Sequence, residues 1–401
     1  MRHRFVCGHL GKRDDYQLAA ALAEKDLLEL LCTDLFIRTR WHHALARLGI
    51  ISSQRQSKLF RPSLVRNSWM AVFLQKVSGW IIPDPELQRL IPDRWLARIL
   101  AREARKRRAL LLTYEPWAVT RPTGGFPQGR KQVLFHFHPH VDREDAIYAE
   151  DQRSFPQFYR ELKVTESPYR KRTADAWKQA DLILCASSFT RDSLVAAGMP
   201  KEMCRVVPYG VKPTTAENGG TRKGPLKLLF VGRNPLRKGL HHLLLAWRKA
   251  KKQDGDRLTI VCAAPERAVR ELAAQEKDVV WKESVSGEEL ARLYQEADAL
   301  VVPSLCEGFG HVYLEAMGHG CAVVGTAHSA LPDLGGESEG VFLVPAGQPE
   351  KLADLISTAS TDPEIFRSKS EAARHRAGEF TWEKFRAGIK EAVKPLLDWP
   401  P

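Results

Sequence analysis

Short apolar runs alternate along the chain with longer stretches of helical spacing, and a glycine-bearing or polar turn separates most neighbours. In the first half the runs are Arg4 to Gly8, Leu27 to Thr33, Ala109 to Thr113, Gln132 to Phe137, Leu182 to Cys185 and Cys204 to Pro208. The second half continues with Lys227 to Val231, Leu258 to Cys262, Val279 to Lys282, Ala299 to Pro303, Ala322 to Thr326 and Val341 to Val344. Runs this short and apolar predict strands covered on both faces, and helices between them predict parallel pairing. Helical spacing marks Tyr16 to Lys25, Asp93 to Arg108, Leu240 to Lys251 and His311 to His319, and the polar stretch Asp142 to Lys178 is mostly helical in pattern. Within His311 to His319, the residues Val312, Tyr313, Ala316 and Met317 share one face. The rhythm predicts an α/β protein built on doubly wound parallel sheets.

Residues 212–225, KPTTAENGGTRKGP, break the rhythm with a polar stretch rich in glycine and proline. It reads as a linker, with a first domain over residues 1–210 and a second over 211–379. Phe380 to Leu397 has amphipathic helical spacing behind a threonine cap, so 380–401 is expected to form a closing helix.

Composition adds an anionic partner to this picture. The 401 residues carry a formal charge of +13, which favours association with negative surfaces or ligands. The excess is concentrated from Arg38 to Arg108, where sixteen Lys/Arg meet four acidic residues and tryptophans at 41, 69, 80 and 95 are interleaved. Prolines at 83, 85 and 92 are expected to break this segment into short pieces. It fits an ordinary solvated basic surface, or a surface for anionic lipid with aromatic side chains dipping into the interface. No RNA- or DNA-binding signature accompanies the charge, so nucleic acid is not expected. No apolar run approaches the roughly 18 residues that span a bilayer, and the start MRHRFVCGHLGKRDD is too short in its apolar part for a signal peptide. The seven cysteines are scattered without a C-x-x-C pair, which suggests a reducing cytoplasmic compartment and no disulfide framework. Lipid binding through 38–108 would make the protein peripheral on the inner face of a membrane.

Candidate chemistry gathers in Ala299 to Val324, ALVVPSLCEGFGHVYLEAMGHGCAVV. A strand, a glycine turn, a helix and a second strand follow one another there. Such a turn lies at the carboxyl end of a parallel sheet, where open α/β folds bind ligands, and a helix start favours an anion. Gly308 and Gly310 would let backbone approach a ligand. Glu307 and Glu315 frame the turn, one in the loop and one on the helix. Taken alone, two glutamates also suit a solvated helix face. Set in E-G-F-G-H-V-Y-L-E, however, they resemble the Glu-x7-Glu motif of glycosyltransferase family 4, retaining enzymes of the two-domain GT-B fold that use nucleotide-sugar donors.

That resemblance implies two Rossmann-like domains facing a central cleft. Glu307 would hold hydroxyls of the donor sugar, Glu315 the ribose hydroxyls, and Phe309 and Gly310 would line the donor beside them. G-R-N-P-L-R-K-G, after the second domain's first strand, resembles the family's second signature. Arg233 and Lys238 would grip the donor diphosphate, with Arg237 a near alternative, and fixed cations there stabilise the charge that builds on the leaving group. From the first domain, Gly8 and Gly11 in the loop after the first strand would approach the diphosphate. His138, in F-H-F-H-P-H, would touch the donor sugar, with His136 and His140 alternatives and a structural role open to each. The passage through Tyr209-Gly210-Val211 resembles the family's exit from the first domain, and the tail helix would cross back onto it. No acidic nucleophile stands out, so the resemblance implies a front-face mechanism in which leaving-group phosphate helps deprotonate the acceptor hydroxyl. The donor is a substrate, and no cofactor or metal is expected. The histidines lack convincing ligand spacing, and Asp254-Gly255-Asp256, a literal Asp-x-Asp, falls in a helix-to-strand turn at the wrong end of its strand. The expected reaction moves a sugar to a hydroxyl of a glycan or lipid-linked acceptor, in glycolipid or surface-polysaccharide synthesis. The rivals are a nucleotide-sugar epimerase of the same fold and a non-catalytic protein that binds sugar nucleotide or polyanion.

Overall fold

The computed structural model describes residues 3–48, 51–82, 85–114, 131–160, 176–212, 223–263 and 266–397. Thirteen strands form two sheets. The first comprises β1 (Phe5–Gly8), β2 (Leu28–Thr33), β3 (Val65–Asn67), β4 (Leu110–Thr113), β5 (Gln132–His136), β6 (Leu182–Cys185) and β7 (Cys204–Val206). The second comprises β8 (Lys227–Val231), β9 (Arg257–Val261), β10 (Val279–Lys282), β11 (Ala299–Val302), β12 (Ala322–Gly325) and β13 (Val341–Leu343). Their orders are β3-β2-β1-β4-β5-β6-β7 and β10-β9-β8-β11-β12-β13. Every pairing is parallel, in keeping with the mainly apolar strands. In each sheet the order reverses at its first strand, with Phe5 opposite Leu110 and Leu228 opposite Ala299. The crevices beyond β1/β4 and β8/β11 are therefore the two switch points, where such folds bind ligands.

The helices that frame the cleft and the basic segment are α1 (Gln17–Ala23), α2 (Arg40–Arg47), α3 (Trp69–Ile81), α4 (Pro85–Arg107), α5 (Val141–Ser154), α6 (Ser188–Ala196), α7 (Leu240–Lys249), α8 (His311–Gly318) and α9 (Trp382–Val393). Thr381 caps α9, its side chain accepting from the Lys384 N–H at 3.2 Å. That helix lies on α1 of the first domain, where Arg386 reaches Gln17 at 2.6 Å and Lys390 reaches Glu24 at 2.6 Å. All seven cysteines are buried and none forms a disulfide. The glycine- and proline-bearing stretch from Arg121 to Gly129, which reads as a turn between strands, and most of the linker at 212–225 lie outside the described residues.

The basic segment departs from its expected shape. One helix ends at Ile81 and the next begins at Pro85, but Pro92 does not divide the segment, because α4 runs through it to Arg107. A proline in a helix leaves the carbonyl four residues earlier without its donor. Here that carbonyl belongs to Gln88, and the Ser78 hydroxyl of α3 supplies the bond at 2.9 Å. The helix α3 is itself unusual. Among its thirteen residues only Ala71 and Ser78 are buried, while Trp69, Met70, Phe73, Trp80 and Ile81 are exposed. Part of the segment's charge is spent internally. Arg55 pairs with Asp34 at 2.8 Å, and Arg66 and Arg107 both meet the buried Glu103.

Candidate donor site in the cleft

The second domain's two sequence signatures flank its switch point. The loop GRNPLRKG leaves β8 and the loop PSLCEGFG leaves β11, and the Leu305 N–H donates to the Arg237 carbonyl at 2.9 Å. Glu307 is the centre of the arrangement. Its Oε2 accepts from Lys238 Nζ at 2.8 Å and its Oε1 from Arg237 Nη1 at 3.1 Å. Burial alone would raise its pKa, but the Lys238 ammonium and the Arg237 guanidinium outweigh burial and hold the carboxyl down at about 2. Lys238 reaches this position across Gly232, where a Cβ would stand 2.3 Å from the lysine Cδ. Arg233, by contrast, is exposed beside the pair, and its guanidinium has no side-chain partner among the described residues. Arg237 and Lys238 are thus held in register by the Glu307 carboxylate, and Arg233 is exposed. Arg237, the sequence alternative, is the arginine that contacts Glu307.

The turn after Glu307 joins the domains. A Cβ on Gly308 would lie 1.5 Å from the Phe137 carbonyl oxygen, and the Gly308 carbonyl accepts the Ser187 hydroxyl at 2.5 Å. The space expected for a ligand at Gly308 is filled by first-domain backbone, so only glycine fits between the two loops. Gly310 has φ +87° and begins α8. Phe309 is buried and packs edge-on against Tyr209, with ring centroids 5.3 Å apart. Glu315 is half-buried one turn along α8, and its Oε2 accepts the Tyr294 hydroxyl at 3.1 Å. The two glutamates of the motif therefore have different surroundings, a cationic one and a neutral one.

The first domain supplies the opposite wall. His138 stands on the Phe137–His138 backbone that meets Gly308. Its crowded surroundings and the Arg237 charge push the imidazole down to about 4, so it is neutral at pH 7. The other two histidines diverge from it. The His136 Nε2 is buried without a partner, and burial pushes that ring down to about 3. His140 caps α5, accepting from the Asp142 N–H at 3.3 Å. Gly8 and Gly11 also separate. Gly8 is packed beneath α4, where a Cβ would lie 2.4 Å from Leu100, so helix packing accounts for that glycine. Gly11, at φ +78° with open space around it, turns the loop and donates its N–H to Asp34 at 3.0 Å.

Sequence patterns do not single out the residues just beyond Gly11. Asp14, Asp15 and Tyr16 have φ of +47°, +50° and +64°, a run of left-handed conformations that costs non-glycine residues roughly 1–2 kcal/mol each. Asp14 is thereby turned toward α8, with an oxygen 4.0 Å from His311 Nε2, and accepts the Tyr114 hydroxyl. Burial raises its carboxyl pKa. Nothing in the sequence marks this, because it is the backbone conformation that aims the side chain. Asp254-Gly255-Asp256 sits between α7 and β9, at the amino end of the strand. Asp256 is buried, accepting the Leu226 N–H at 2.8 Å, the Gln253 N–H at 3.0 Å and the Ser360 hydroxyl at 2.5 Å. Its carboxylate braces the domain.

Comparison with known proteins agrees with this geometry. Residues 225–362 match the family model of group 1 glycosyl transferases. The MMP alpha-(1->4)-mannosyltransferase of Mycolicibacterium hassiacum is 28% identical over 215 residues, 52% of this chain and 52% of that protein. The amylovoran biosynthesis glycosyltransferase AmsK of Erwinia amylovora is 29% identical over 201 residues, 47% of this chain and 49% of that protein. The matched stretch thus spans about half the length of these curated relatives. The structure of HepE from Anabaena in complex with UDP superposes with a TM-score of 0.63 over 98% of this chain and 100% of that one, at 16% identity. The two sheets are those of the GT-B fold.

Proposed function

We propose that this chain, whose residues 225–362 match the family model of group 1 glycosyl transferases, transfers a sugar from a nucleotide diphosphate sugar to a hydroxyl acceptor. The observation that carries this is Glu307 held between Lys238 and Arg237 at the second switch point, with Arg233 exposed beside them. A leaving nucleoside diphosphate gains charge as the glycosidic bond breaks. Cations already fixed at that place stabilise the transition state more than the ground state. In this reading Arg233 and Lys238 receive the diphosphate and Glu307 turns toward the sugar hydroxyls. Glu315 takes the ribose, and neutral His138 closes the sugar from the first domain. HepE holding UDP in the same fold supports a nucleotide-sugar donor. As the resemblance to family 4 enzymes implies, the reaction would retain configuration by front-face attack and need no metal.

The acceptor has a place in the same reading. The exposed face of α3, with Trp80 94% and Ile81 73% exposed beside Lys76, and Trp41 70% exposed on α2 among Arg38, Arg40 and Arg47, suits an anionic membrane surface. A lipid-linked or membrane-proximal glycan acceptor would be met there. Among the described residues no helix is long and apolar enough to cross a membrane. The test of the donor is a thermal-shift panel of UDP-, GDP- and ADP-sugars, since a ligand of the folded state raises its melting temperature. One nucleotide class should stabilise the wild type and fail to stabilise Lys238→Ala. A panel that stabilises neither protein contradicts the reading.

A further inference from the structure

Three ligand-type side chains meet between the domains. Asp151 comes from α5 of the first domain, and His241 and His242 come from the first turn of α7 of the second. His241 Nε2 lies 2.9 Å from Asp151 Oδ2, and His242 Nε2 lies 2.6 Å from Asp151 Oδ1. The Tyr159 hydroxyl adds a bond to Oδ2 at 2.5 Å. All three ligand-type residues are buried. The rings of Phe155 and Phe158 pack against the imidazoles, with centroids 4.7 Å from His242 and 5.1 Å from His241. The cluster is dry, and it spans the two domains.

Among the described residues, Asp151 forms ion-pair contacts only with the two imidazoles, and no lysine or arginine joins them. Two imidazoles and a carboxylate are ligands that a small divalent transition ion of the zinc class takes. One donor atom from each of the three residues lies within 4.8 Å of the others. A tetrahedral ion with bonds of about 2.0–2.1 Å needs donors about 3.3 Å apart, so the rings would part from the carboxylate by about half an ångström. The Nδ1 atoms of both rings are buried without partners. With an ion on Nε2 each ring would keep its proton on Nδ1, so the site lacks the outer hydrogen bonds that usually orient ligating imidazoles.

We propose that Asp151, His241 and His242 bind one divalent transition ion of the zinc class, which staples α5 to α7 and holds the two domains together. The ion is structural, and the diphosphate cations Arg233 and Lys238 are separate from it. The test uses the full chain, stripped with chelator, dialysed, and titrated with zinc sulfate by calorimetry and with cobalt chloride by visible absorption. One ion per chain should bind, the melting temperature should rise with zinc, and cobalt should give the intense visible bands of a tetrahedral site. Asp151→Asn and His242→Gln, each checked for native circular dichroism, should weaken zinc binding at least about 100-fold. The wild-type cobalt spectrum decides the matter even where a variant does not fold. A melting temperature unmoved by zinc, a weak six-coordinate cobalt spectrum, or undiminished zinc affinity in both folded variants would overturn the site. The cluster would then be a plain hydrogen-bonded joint.

Discussion

At the scale of single residues, the donor site turns on the contrast between Arg233 and Lys238. Arg233 is exposed and unpaired among the described residues, so Arg233→Ala should leave the fold intact while slowing turnover roughly 10²- to 10³-fold, as loss of one preorganised stabiliser does. Glu315→Ala should weaken nucleotide binding by about 1–3 kcal/mol through unpaired ribose hydroxyls. Full activity in folded Arg233→Ala, or unchanged affinity in Glu315→Ala, would remove those roles. Lys238 acts on Glu307 even without a donor. Because Glu307 titrates at about 2 when folded against an ordinary value of 4.5, the ion pair contributes fully above about pH 4.5. Its contribution, on the order of 3 kcal/mol, is lost as pH falls to about 2. Urea unfolding between pH 3 and 6 should therefore show a smaller gain of stability with pH in Lys238→Met than in the wild type. Equal pH slopes would mean that Lys238 does not hold the carboxylate.

At the scale of elements, strands are the most legible part of the chain. β6 and β8 follow the apolar runs Leu182 to Cys185 and Lys227 to Val231 residue for residue, because a strand buried on both faces has little choice but apolar side chains, and half-buried β10 matches Val279 to Lys282 as well. β3 leaves no such trace, since Val65–Asn67 offers one buried valine at a sheet edge. The continuity of α4 through Pro92 is hidden too, because the compensating Ser78 lies on another helix, where sequence spacing cannot point to it. The glutamates, Arg233 and Lys238 are readable from local motifs. Asp14 and the Asp151–His241–His242 cluster are not, because a strained turn and a domain contact bring them into place. The Asp-x-Asp turn yields an element-level prediction. Asp254→Asn should be neutral, whereas Asp256→Asn, which puts an amide among three donors, should cost on the order of 2 kcal/mol in denaturant unfolding. Equal stability of the two variants would show that Asp256 does not brace the turn.

At the scale of the whole molecule, two domains close on one another through Gly308 against Phe137 and Ser187, and through the Ser188 N–H donating to Asp333 at 2.7 Å. The cleft between them is the proposed seat of the donor, and the apolar, basic face of α2 and α3 lies on the first domain. The protein should float with vesicles containing anionic lipid and be released as salt rises through a few hundred millimolar. Trp80→Ser with Ile81→Ser should abolish that binding without changing donor affinity, and equal binding to neutral vesicles would exclude the electrostatic part. Transfer measured well below the melting temperature should survive EDTA, because the diphosphate site is built from side-chain cations, and activity abolished by EDTA and restored by Mn²⁺ would reverse this. The most direct measurement of the central claim is release of nucleoside diphosphate from the stabilising nucleotide sugar, with and without a membrane extract as acceptor. Release should rise with the extract, with labelled sugar passing into it, and should fall roughly 10²- to 10³-fold in Lys238→Ala. Nucleoside diphosphate released to the same extent by wild type and Lys238→Ala, or released with no sugar reaching the extract, would contradict sugar transfer at this site.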